Sequence, residues 1–94
     1  MSNQVLIVAA EAASRTPASV AQSLNFTPVI AANEEEALAL LDEQVFSLIA
    51  VGDEATWQRM REIVESRQPM TRVLRLPEAN GDDTIVRRLL TRYL

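Results

Sequence analysis

The chain has 94 residues, a net charge of −4, and neither cysteine nor histidine. All nine basic residues are arginine, so it has no lysine either. These absences exclude disulfides, thiolate metal sites, the usual general base and the usual Schiff-base nucleophile.

An acidic chain suits a phosphate backbone poorly, because that binding needs clustered positive charge; nucleic acid is not an expected partner. No apolar run approaches the roughly 18 residues of a membrane span. The N-terminal run is too short for a signal peptide and lacks a basic front. The cytoplasm is the expected compartment, without membrane contact. The length suits one domain, residues 1–94, large enough to hold a core without a staple. Charge is uneven, −5 over residues 1–50 and +1 over 51–94, which reads as a solvated acidic helix in the first half.

Gln4–Val8 is the first strand, a short apolar run that fits burial on both faces. Ala12–Leu24 reads as a helix with two possible starts. Thr16 can cap a helix beginning at Pro17, or Pro17 can kink one begun near Ala12. Asn25 suits its stop. Pro28–Ala32 is the second strand. Asn33 then stands at an N-cap with Glu36 at the third helical position, a close variant of the capping box, and Glu34, Glu35 and Glu36 meet the positive end of the helix dipole. Ala37, Leu38, Leu41 and Val45 recur at helical spacing.

Phe46–Val51 is the third strand, ended by Gly52. Asp53 or Glu54 caps a third helix, Thr56–Arg67, with Trp57, Met60, Ile63 and Val64 on one face. Pro69 stops it. Arg72–Leu76 is the fourth strand and Pro77–Gly81 a turn. Asp82 or Asp83 caps a last helix, in which Ile85, Val86, Leu89, Leu90, Tyr93 and Leu94 form an apolar stripe. Arg87, Arg88 and Arg92 lie opposite it. Strands that alternate with helices argue for a parallel sheet covered on both faces. The expected fold is a three-layer, flavodoxin-like α/β sandwich with four strands in the order 2-1-3-4. Right-handed crossovers place helices two and three on one face. The last helix then joins helix one on the other.

Three segments together resemble response-regulator receiver domains. "VLIVAAEAASR" resembles the family's opening, an apolar strand followed by Asp-Asp-Glu, a short gap and Arg. "AANEEEALALL" resembles the second strand and helix, and "FSLIAVG" the third strand. The similarity covers about residues 4–52, with one deletion in the first helix. It implies a receiver-like fold with a shortened C-terminal part, and it also implies which residues once carried chemistry. The family's two metal-binding aspartates fall on Ala9 and Ala10. Its phosphoaccepting aspartate falls on Gly52, and, where "RVLRLPE" is taken as the family's fourth strand, the hydroxyl residue at that strand's end falls on Pro77. Its lysine has no counterpart. Alanine methyls offer Mg²⁺ no oxygen ligand, and glycine offers no carboxylate for an acyl phosphate.

The resemblance therefore implies an emptied phosphorylation site: a pseudo-receiver with no catalytic residues, no metal site and no cofactor, acting through a protein partner in bacterial signalling or regulation. The alternative is a small-ligand sensor that uses the vacated strand-end pocket. An enzyme is not expected, since nothing is present to activate serine, threonine or tyrosine; a chance carboxylate pair such as Glu11 and Asp53 is the remaining route. Arg72 and Arg75 suit an edge strand, where they blunt unwanted pairing. Alternatively they form an interface with Tyr93 and Leu94, and a weak homodimer through that edge is expected.

Overall fold

The computed structural model describes residues 3–76, 87, 88 and 90–92, with only the backbone for residues 11–13. The described elements run β1 (Gln4–Val8), α1 (Glu11–Ser23), β2 (Thr27–Ala31), α2 (Glu34–Glu43), β3 (Leu48–Val51), α3 (Glu54–Arg67) and β4 (Arg72–Arg75). The sheet is parallel throughout, in the order β2-β1-β3-β4. This is the expected three-layer α/β arrangement, consistent with a flavodoxin-like fold.

The two central strands explain themselves. All four residues of β3, and Val5–Val8 of β1, are buried, because helices cover both faces. Alternate side chains divide between two cores. Val5, Ile7, Leu48, Ala50 and Leu74 meet Val20 and Ala21 of α1 on one face. Leu6, Val8, Ile49 and Val51 meet Leu41 of α2 and Met60 and Val64 of α3 on the other. Residues 87, 88 and 90–92 are helical. Leu90, 1% exposed, joins the α1-side core, and Arg87 Nη1 donates to Ser23 Oγ at 2.9 Å. The final helical segment thus lies on the α1 side. The turn at 77–81, the caps Asp82 and Asp83, and Ile85, Val86, Leu89, Tyr93 and Leu94 lie outside the described residues.

Several boundaries differ from expectation. Helix α1 begins at Glu11 and runs through Pro17, so Thr16 does not cap it; its N-cap, Ala10, makes no side-chain cap. Its end is a full Schellman motif. Asn25 takes the left-handed conformation (φ 66°), its N–H donates to Gln22 O, and Phe26 N–H donates to Ala21 O. β2 is shifted one residue earlier than expected, and β3 starts at Leu48 because Phe46 and Ser47 precede the ladder. Val45 lies beyond the C-cap of α2 and is 63% exposed, so it is no part of that helix's apolar face.

The caps of α2 and α3 follow from local chemistry. Asn33 Oδ1 accepts from Glu36 N–H at 2.9 Å. Glu36 Oε2 reaches back to Ala32 N–H at 2.8 Å, one residue earlier than a standard capping box. Asp53 caps α3, accepting from Thr56 N–H and Thr56 Oγ1, both at 2.9 Å. Helix α3 consequently starts at Glu54, with Thr56 inside its first turn.

Candidate functional site

In an open parallel sheet, ligands gather at the carboxyl ends of the strands. Here that end presents Ala9 and Ala10 after β1 and Gly52 after β3. Ala9 N–H donates to Ala31 O at 3.0 Å, and Gly52 N–H donates to Val8 O at 2.9 Å. A Cβ added to Gly52 would lie 3.2 Å from the Ala9 methyl and 3.7 Å from Val8 O. The positions matched to a metal ligand and to the phosphoacceptor are therefore direct neighbours. Ala10 is exposed and is the N-cap of α1. Pro77 lies outside the described residues.

Above these residues lies a crevice of about 570 Å³. Val8, Ala9, Ala10, Ala32 and Gly52 give it apolar surface, and the N-terminal ends of α2 and α3 with their caps add Asn33, Glu34, Glu35, Asp53, Thr56 and Arg59. Arg59 Nε meets Glu34 Oε1 at 2.7 Å, tying α3 to α2. That pair is largely exposed and contributes at most about 1 kcal/mol. Asp53 is held below the ordinary carboxylate value, chiefly by the Thr56 backbone N–H, then by the Thr56 hydroxyl, with Arg59 adding a smaller favourable charge. It is an ionised cap whose Oδ2 is committed to Thr56.

The arrangement can bind or pack, but its apolar surface supplies no nucleophile. Among the described residues, no three acidic side chains converge where they could hold a metal ion. No described helix is long and apolar enough to cross a membrane. The side chain of Glu11, the other member of the expected carboxylate pair, lies outside the described residues.

Among the described residues β4 is an edge strand, as its arginines suggested. Arg72 and Arg75 are both exposed, and Arg75 Nη1 lies 3.1 Å from Glu54 Oε1 of α3. Tyr93 and Leu94, named with them, are outside the described residues. Sequence reasoning missed Arg59, Glu34 and Thr56 as crevice residues. The available signal was topological: residues just after Asn33 and Asp53 open helices at the same end of the sheet.

The fold and site define a small flavodoxin-like α/β domain with an apolar strand-end crevice. No family model, curated protein or solved structure matches the chain.

Proposed function

We propose that the chain is a phosphorylation-independent, receiver-like interaction module, acting in the bacterial cytoplasm through a protein partner. One observation supports this most. The positions that the resemblance assigns to metal binding and phosphoryl transfer carry two methyl groups and a glycine, beside a four-stranded parallel sheet and the capped starts of α2 and α3. A Mg²⁺ ion needs several oxygen ligands, and phosphoryl transfer to protein needs a nucleophile; neither is supplied at Ala9, Ala10 or Gly52. Incubation with acetyl phosphate and Mg²⁺ tests the reading. The expected mass is unchanged, and a phosphoryl adduct mapped to residues 50–54 would overturn it.

The crevice supports a second reading, a small-ligand sensor. Its volume, about 570 Å³, falls in the range of small-molecule sites. A thermal-shift screen separates the two readings, because a ligand that binds only the folded state raises Tm by mass action.

A further inference from the structure

We propose that the outer edge of β4 pairs with the same edge of a second copy of this chain, antiparallel and two-fold, with Leu74 on the axis. This goes beyond the interaction-module reading and does not depend on the state of the strand-end site. Leu76 N–H donates to Val51 O at 2.8 Å, and Leu74 is in register with Ala50. Backbone groups alternate sides along a strand, so those of Arg72, Leu74 and Leu76 face β3, and those of Val73 and Arg75 face outward. Among the described residues, no strand lies on that side. The opposite sheet edge differs. Thr27 N–H donates inward to Asn3 O at 3.0 Å, so Pro28 faces outward and offers no N–H. Of the two edges, β4 is the one whose outward donors are intact.

The arginines select the register. Pairing Val73 with Arg75 of the second copy, and the reverse, leaves no outward backbone group of either residue unpaired. Leu74 then faces its own symmetry mate, beside a core that already includes Leu74 and Leu76. Registers centred on Arg72 or Arg75 set two guanidinium groups against each other. In-register parallel stacking needs opposite edges of the two strands, and the inner edge of β4 is already paired with β3, which disfavours open-ended association. A register centred on Val73 sets Arg75 against Thr71 of the second copy and leaves the outward Arg75 C=O unpaired, because Thr71 N–H already donates to Gln68 O at 2.9 Å. What is left is a closed, isologous dimer.

Side-chain charge fits the same register. Arg75 of the second copy, which exchanges its exposed 3.1 Å pair with its own Glu54, emerges beside Val73, which borders a groove of about 480 Å³. Glu65 is the carboxylate lining that groove. Of the arginines bordering it, Arg61 has its guanidinium 5.0 Å from the Trp57 ring centroid, and the Arg72 side chain leaves from the opposite face of the strand. Met70, 93% exposed, adds apolar surface. A four-residue strand buries less than the roughly 1,200 Å² of a standard interface, so the dimer is weak.

Sedimentation equilibrium of the full chain, from about 10 μM to about 1 mM, is the first test. The expected mass rises from 10.4 kDa toward twice that value. Val73→Pro removes an outward N–H and leaves the β3 ladder in place; it is expected to weaken association at least ~10-fold, with the circular dichroism spectrum retained. Arg75→Glu is expected to weaken association similarly, and adding Glu65→Arg to restore it. Register is read by oxidation: Val73→Cys chains cross-link to Arg75→Cys chains, and neither cross-links to itself. A single 10.4 kDa species at the highest concentration overturns the proposal and leaves the edge to another occupant. Failure of the charge swap, or Val73→Cys chains cross-linking to themselves as fast as in the mixture, overturns the register.

Discussion

Gly52 and Ala9 approach so closely that a Cβ on Gly52 would stand 3.2 Å from the Ala9 methyl. That spacing ties the two positions together, because a larger side chain at one has to be accommodated by the other. Adding an acceptor alone is therefore not expected to confer phosphoryl chemistry. Gly52→Asp supplies a carboxylate but no paired ligands for Mg²⁺. The single variant is expected to remain unphosphorylated by acetyl phosphate in intact-mass measurements. Only the triple change Ala9→Asp, Ala10→Asp, Gly52→Asp is expected to bind Mg²⁺, at least ~10-fold more tightly than the parent chain by calorimetry. Phosphorylation of the single variant would show that the alanines are not what silences the site.

Asp53 sets an acid limit on stability. Its folded-state pKa lies below the ordinary 3.8, with the Thr56 backbone bond as the main cause. A depressed carboxylate contributes stability above the unfolded pKa and loses it as pH falls through the folded value. The parent chain should thus lose this contribution below about pH 4. Asp53→Ala should lower Tm by several degrees at neutral pH, with the difference shrinking in acid. Parallel melting curves at the two pH values check this, and a pH-independent gap contradicts it.

Thr71 locks the base of the sheet. Its hydroxyl donates to Phe46 O at 2.7 Å and lies 3.1 Å from Gln68 Oε1, while Gln68 Nε2 donates to Gln44 O at 2.9 Å and Leu41 O at 3.2 Å. One side-chain pair thus joins the end of α2, the approach to β3 and the start of β4. Thr71→Val keeps the shape and strands buried partners, at a cost of about 1–3 kcal/mol. Urea unfolding checks the magnitude, and a change under about 0.5 kcal/mol would mean that water replaces the bond.

Leu90 reports on the last helix. It is 1% exposed and shares a core with Val5, Ile7 and Val20. Leu90→Ala is expected to cost about 2–5 kcal/mol. A surface-like effect would place that helix elsewhere.

Much of this fold is legible from single residues. β1 and β3 are uniformly apolar because both of their faces are covered, and Asn33 and Asp53 announce their helices through short local bonds. The start of α1 was not legible, because Ala10 offers no capping side chain and Pro17 sits inside the helix. Val45 kept helical spacing past the true end of α2, where periodicity carries no stop signal. At the candidate site, the alanines and glycine were visible as departures from a pattern. The Arg59–Glu34 pair was not, because it joins residues 25 positions apart and exists only once α2 and α3 lie side by side. Pairing across β4 was half visible: the arginines marked an edge, but only the register shows which backbone groups face outward.

Under the proposed interaction-module reading, the strand-end site performs no phosphoryl chemistry. The most direct measurement is a two-dimensional amide spectrum of the chain with and without Mg²⁺ and beryllofluoride, which together mimic a phosphorylated carboxylate. Unchanged positions are expected for the amides of Ala9, Ala10, Gly52 and Asp53. Saturable shifts centred on those amides, requiring both reagents, would contradict it.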